Sequence, residues 1–231
     1  MKLKTVVQIV LAAAIVGLAL WLYSSIMKPV RFDNEYNVRR AACATKLKTI
    51  RTLEEAYKQT YGAYCGNFDT LVNRLLQEDS LLISHTVVNY DKIPEDVDIA
   101  DVPEPEAIKK GYMTVVAMYV NPIAQLREQG KLSYTTEEGE LHEISDQEIR
   151  DVRYVPYPKD QQYEFDLQAG AVDRGGLQVP VFECKVPLDK LLADMDHQDV
   201  INKIAELERI NRYAGWKVGD MTQAVTDGNF E

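Results

Sequence analysis

Thr5 to Met27, TVVQIVLAAAIVGLALWLYSSIM, is 23 residues long and contains no charged side chain. A helix needs about 20 residues to cross a hydrocarbon core of roughly 30 Å, so this run predicts a transmembrane helix. Trp21 and Tyr23 fall at its far end, where amphipathic rings favour the headgroup layer, and Lys4 and Lys28 bracket it as interfacial anchors. A cleaved secretory signal is the competing reading. It requires small residues just after the apolar run, where WLYSSIMKP presents bulky ones, and Ala12–Ala14 come too early. The expectation is an uncleaved anchor.

Orientation is set by Lys and Arg near the two ends. Lys2, Lys4 and the amino terminus stand on one side, against Lys28, Arg31, Arg39 and Arg40 on the other. The count leans toward a cytoplasmic C-terminal region. A short basic tail ahead of a span is the layout of a signal-anchor, which places residues 1–4 in the cytoplasm and the large domain in the periplasm. The second arrangement is the one expected here, giving a single-pass protein of the inner membrane.

Beyond Pro29, which can end or kink the span, DNEYNVRRAACATKLKTIRTLEEAYKQTYG reads as an amphipathic stalk over 28–62, with Asp33 or Asn34 able to cap it. Cys43, Leu47, Ile50, Tyr57 and Tyr61 share an arc of about 80° at 100° per residue. Glu54 interrupts that arc and requires a partner or a wet edge. The stripe through Leu47, Ile50, Tyr57 and Tyr61 either packs under a head or meets partner helices. Gly62 supplies the stop.

A spanning helix that continues as a stalk and ends in AYKQTYGAYCGNFDTLVNRL resembles the N-terminal region of type IV pilins and type II secretion pseudopilins. The resemblance covers about residues 1–78 and is carried by Tyr57, Tyr61, Gly62, Tyr64, Phe68, Leu71 and Leu75. It implies a helical stalk under a small head, working by contacts within an envelope assembly. The chain departs from the family in having no glycine ahead of the apolar run and no acid before Asp33, so prepilin processing is not implied. In architecture it is also similar to uncharacterised single-span bacterial envelope proteins.

Residues 63–231 read as one α+β head with a small antiparallel sheet and short C-terminal helices. Ser84–Tyr90 and Tyr112–Val120 have strand composition, and DKIPEDVDIADVPEPEAIKK between them reads as a surface loop. KLSYTTEEGELHEI reads as a hairpin, and a short strand is expected at 152–155. QYEFDLQAGAV alternates, Asp173–Gly176 turns the chain, and LQVPVFECKV returns, with Pro180 indicating an edge or bulge. DKLLADM and DHQDVINKIAELERINRY read as helices, the second presenting Val200, Ile201, Ile204, Leu207 and Ile210 along one side. GWKVGDMTQAVTDGNFE is expected to end the chain as a short strand or loop with a frayed tail.

The net charge of −10 argues against nucleic acid, whose phosphates require clustered Lys and Arg. Of 26 basic and 36 acidic side chains, 16 and 32 fall in 62–231, so an acidic head stands on a basic stalk. Asp96, Asp98 and Asp101 lack the spacing of a calcium loop, and His85, His142 and His197 show no ligand pairing. No nucleophile elbow or phosphate cradle occurs, so neither a cofactor nor an enzymatic activity is expected. Cys43 and Cys65 lie too far apart on one helix to pair, at about 30 Å. Cys65 and Cys184 either form a disulfide pinning stalk to sheet or remain buried thiols. The expected role is non-enzymatic, with the membrane and other proteins as partners. The alternative is a membrane-anchored ligand-binding or sensory head, with its pocket between the hairpin and the Val200–Ile210 helix.

Overall fold

The computed structural model describes residues 3–94, 97–136 and 139–230, leaving aside the side chains of residues 3–6, 9 and 85. Asp96, Glu137, Glu138 and the Lys4 side chain lie outside what is described. One helix, α1 (Leu3–Tyr61), runs unbroken for 59 residues, on the order of 88 Å. Pro29 lies inside it and neither ends it nor gives the stalk a separate start at Asp33 or Asn34. Its apolar N-terminal stretch, with a mean hydropathy of 2.1 in its most apolar window, has no residue buried in the chain. Gly62 ends the helix in the left-handed region (φ +79°), where a side chain would be strained, and its N–H returns to the Lys58 carbonyl at 2.8 Å.

The distal half of α1 is the spine of the head. Cys43, Leu47, Ile50 and Leu53 are fully buried, and Tyr36, Ala56 and Tyr57 nearly so. Two elements pack on them from sequence-local causes. α2 (Phe68–Gln77) begins where the Asn67 side chain accepts the Thr70 N–H, and buries Phe68, Leu71, Val72 and Leu75, one stripe at helical spacing. The sheet β5 (Asp166–Arg174), β6 (Leu177–Pro187) and β7 (Gly215–Gly219) is antiparallel in that order. Phe165, Leu167, Phe182, Cys184, Val186 and Val218 fill the layer between sheet and helix.

Pro180 lies in the central strand, yet β7 pairs only with Glu183–Pro187, so the position is locally an edge. Gly219 (φ +75°) allows the close approach that ends β7, since a Cβ there would stand 2.2 Å from the Phe182 carbonyl oxygen.

Between α2 and this sheet the chain forms β1 (Leu81–Val88), turns at 90–92 and 99–101, α3 (Glu104–Lys109), β2 (Met113–Val120) and α4 (Pro122–Glu128). β3 (Ser133–Thr135), β4 (Leu141–Glu143) and α5 (Asp146–Arg150) follow, the last opened by a Ser145–Glu148 capping box. α6 (Leu188–Leu191) and α7 (His197–Arg209) separate β6 from β7.

Several expectations are corrected. The acidic segment between β1 and β2 carries helical turns and α3, where Pro105 stands in the first turn, at which a missing N–H is tolerated. Residues 152–155 form no strand, only a Tyr154–Glu164 bridge after a 3₁₀ turn. Along α7 only Val200 is buried, while Ile201 and Ile210 are exposed. Up to Phe230 the C-terminal segment does not fray: Gly228 bridges to Val218, the Asn229 side chain accepts the Lys217 N–H at 2.9 Å, and Phe230 is buried in the core.

Candidate functional site

β1 and β2 pair over eight residues, Leu81 with Val120 through Val88 with Met113, and among the described residues no third strand joins either edge. Strand side chains alternate between faces. One face carries Leu82, Ser84, Thr86 and Val88 with Met113, Val115, Ala117 and Tyr119. There α3 covers the distal end, where Thr86 donates to Glu104. The opposite face carries Ile83, Val87, Val116 and Met118, and Val87, Val116 and Met118 are exposed. On the first face Tyr119 is 65% exposed and Leu82 55%.

A strand apolar on both faces is the composition of one buried on both faces. In this chain the arm instead stands in solvent, with apolar faces and unpaired edges, the arrangement that soluble proteins suppress with charge or proline. Its exposed strand residues, from Thr114 to Tyr119, contain neither.

The junction of α1 with the head contains polar groups of a different kind. Glu54 is fully buried; its Oε2 accepts the Cys65 backbone N–H at 2.8 Å, and Oε1 has no partner among the described residues. Burial raises its pKa to about 8, against the smaller lowering effect of that hydrogen bond, so near neutrality the carboxyl is held largely as the acid. The Cys43, Cys65 and Cys184 thiols are all free and buried. Of the two expectations for Cys65 and Cys184, a disulfide or buried thiols, the second is the one observed. Cys65 Sγ lies 3.3 Å from the Asn67 carbonyl, while Cys184 is flanked electrostatically by Cys43 and Glu54 of α1. Burial pushes the Cys184 pKa well above its usual value, which makes a poor nucleophile.

Arg39 forms a clamp nearer the apolar end of α1. Its guanidinium donates to Glu35 at 2.9 Å, to the Leu191 carbonyl at 3.1 Å and, through both terminal nitrogens, to Asp194. The hydrogen bond from Arg39 holds the Asp194 carboxyl below its usual range. Lys46 donates to the Asp151 and Tyr154 carbonyls at 3.1 and 2.7 Å, and burial lowers its pKa.

Cavities flank α1 on more than one side. One of about 580 Å³ lies between Ala42, Thr45 and the β3–β4 hairpin, lined there by Tyr134 and Ile144. Another, about 720 Å³, lies between α1 and the α7–β7 region. Neither is the pocket between hairpin and Val200–Ile210 helix expected of a sensory head; hairpin and α7 each face a different cavity. His142 meets Glu148 at 2.9 Å and packs on Tyr134, and no group of three or more His, Cys, Asp or Glu among the described residues is placed to hold a metal.

The sequence-predicted residues therefore divide. Trp21 and Tyr23 are exposed on the apolar part of α1, and Lys28 follows them on an exposed turn. Leu47, Ile50 and Tyr57 are buried under their own head, with Tyr61 at its margin and its ring tilted against that of Tyr57 at 4.5 Å. A partner helix has no access to that stripe, which corrects its reading as a partner surface. The β1–β2 arm was missed as a site. Its signal was the doubly apolar pattern of TVVAMYV, legible only once the arm is known to lack a cover. The chain matches no protein-family model, no curated protein and no solved structure.

Proposed function

We propose that this chain is a non-enzymatic, single-span membrane protein of the bacterial envelope, which presents its head for protein contacts in a secretion-type or other envelope assembly. The observation that carries this reading is the β1–β2 arm, on which Leu82, Val87, Val115, Val116, Met118 and Tyr119 are exposed. Apolar surface exposed in this quantity on a folded head is a contact surface or a liability. Two open strand edges add the capacity to pair with an extended segment of a partner. The apolar start of α1 keeps the head beside a membrane, and the likeness of residues 1–78 to pilins and pseudopilins supports an outward-facing head.

A photoreactive residue placed at Tyr119 or Met118 in the full chain, activated in native membranes, tests this. Capture of another polypeptide, abolished by Val116→Lys, is expected. Adducts confined to lipid or to the chain itself would remove the contact role. A reporter active only outside the cytoplasm, fused after Glu231, checks the side on which the head stands.

A further inference from the structure

The two strands of the arm differ in how much the chain itself covers them. In β1, Leu81 is buried and Ile83, Thr86 and Val88 are half-buried, whereas every residue of β2 from Thr114 to Tyr119 is exposed. The backbone of β2 faces two ways. At the end of the ladder the Asn89 N–H donates to the Tyr112 carbonyl at 2.7 Å, continuing the register of Val88 with Met113. In an antiparallel ladder such hydrogen-bonded pairs alternate with pairs whose N–H and C=O point away from the partner strand. Residues 114, 116, 118 and 120 therefore bond to β1. Met113, Val115, Ala117 and Tyr119 each turn an N–H and a C=O to the open edge.

Charge is confined to the two ends of the arm. Neither Ser80–Tyr90 nor Gly111–Asn121 contains an Asp, Glu, Lys or Arg. Glu78 and Asp79 precede β1 at the root, and both are exposed. The segment 91–110, which joins the strands at the tip, carries seven acids against three lysines. Two of those acids are held beside the strands. Asp91 lies in the turn at 90–92 that follows β1, and the Glu104 carboxylate accepts the Thr86 hydroxyl. Lys110 is taken up by Glu106 at 2.7 Å, and among the described residues no Lys or Arg forms an ion pair with Asp79, Asp91 or Glu104.

A second copy of the chain does not suit this pattern. Antiparallel pairing of two β2 edges sets the tip of one arm beside the root of the other, and parallel pairing sets tip beside tip. Acids meet acids in both. A lipid surface does not suit it either. The root lies by the far end of α1, where the Tyr61 hydroxyl donates to Glu78. From Met27 to Tyr61 α1 rises about 51 Å. An eight-residue strand is about 27 Å long and the polar layer of a bilayer roughly 5–8 Å deep, so above an upright span the apolar strands stay clear of lipid.

We propose that the free edge of β2 takes up an extended segment of another polypeptide as a third strand, apolar through its middle and carrying Lys or Arg at both ends. Both faces of β2 are apolar, which suits a segment apolar on both of its own, and the flanking cations meet the acids at root and tip. The inference rests on the reading of the arm as a contact surface and adds to it the edge that binds and the chemistry of what is bound.

The test uses the full chain in nanodiscs of neutral phosphatidylcholine. The probe is a fluorescein-labelled peptide of Val and Thr with paired lysines at each end, compared with versions bearing Gln or Glu in place of Lys. Fluorescence anisotropy is expected to show the Lys peptide binding about tenfold more tightly than the Gln peptide, as a few exposed charge pairs allow, and the Glu peptide not binding. Asp79→Asn/Asp91→Asn/Glu104→Gln leaves the strands untouched and is expected to bring the Lys and Gln peptides within about twofold of each other. Ala117→Pro removes an outward N–H while sparing the ladder to β1, and is expected to abolish binding of both.

Equal binding of the three peptides, or Lys-peptide binding that both variants leave unchanged, would overturn the proposal. So would failure of the Lys peptide to bind at millimolar concentration. In each case capture at Tyr119 or Met118 in native membranes would still uphold the arm as a contact surface. Loss of that capture together with peptide binding would remove the contact reading itself. Disulfide-linked dimers of Ala117→Cys in native membranes would assign the edge to a second copy and overturn the proposal.

Discussion

The head contains two antiparallel strand pairs of similar length with opposite fates. β5–β6 lies against α1, and its inward residues Leu167, Phe182, Cys184 and Val186 vanish from solvent. β1–β2 is richer in β-branched residues and is covered only at its root, where Leu81 is buried, and at the end that α3 meets. Strand propensity therefore does not decide which pair becomes core. Position relative to α1 does: Phe182 and Cys184 find Leu47, Ile50 and Cys43 waiting, whereas Val116 and Met118 project beyond the reach of the helix. An isolated two-stranded hairpin is marginally stable in water, so the arm is the part of the head to which the proposed contact would add most.

The comparison is sharpest when the core side is broken. Phe182 is fully buried, with its ring 4.7 Å from that of Tyr64. Phe182→Ala is expected to cost about 3–5 kcal/mol in denaturant unfolding of the head. A loss below about 1 kcal/mol would mean that sheet and helix are not packed together.

Glu54 lies on the same buried side and gives the sheet–helix junction a pH dependence. Its pKa is raised from 4.5 to about 8 in the fold. Below pH 4.5 both folded and unfolded chains carry the proton, and the full stability is present. As pH rises from there to about 8, the unfolded chain ionises while the folded one does not, so stability falls across that window and levels off above it. Glu54→Gln is expected to remove the slope and to gain about 3 kcal/mol at pH 7. A variant that retains the slope would place the proton elsewhere.

Arg39 tests the edge of the packed region. Arg39→Ala strands the buried Leu191 carbonyl and leaves Asp194, one-third exposed, without its cation. The expected loss is about 2 kcal/mol, with Arg39→Lys recovering part of it. On the arm the expectation reverses. Val116→Lys removes an exposed side chain and is expected to change stability by less than about 0.5 kcal/mol while abolishing partner capture. A loss comparable to that of Phe182→Ala would show the arm to be core.

Much of this division was legible in the residues and some was not. The helix was, because an uncharged run leads into an apolar stripe at helical spacing with a glycine at its end. So were the strand pairs, from composition and turns. What covers each strand was not, because coverage depends on where a distant helix lies in space. For the same reason Leu47 and Ile50 read equally well as core or as partner surface until the head was seen to enclose them. Cys65 and Cys184 looked pairable because both were assigned to the junction, yet each remains a separate buried thiol. Pro29 misled through its usual effect on helices, which a long apolar helix absorbed. The cavity between α1 and the α7–β7 region gave no signal, since one built from residues as far apart as Tyr36 and Trp216 has no local pattern.

Amide exchange measured on the full chain, once in native membrane vesicles and once after purification in detergent, tests the central claim most directly. Slow exchange of Leu167–Val172 and Val181–Val186 in both preparations is expected, with 82–88 and 113–119 slow only in the native membrane. Exchange of the arm that is equally fast in both, or equally slow in both, would contradict the claim that a partner completes it.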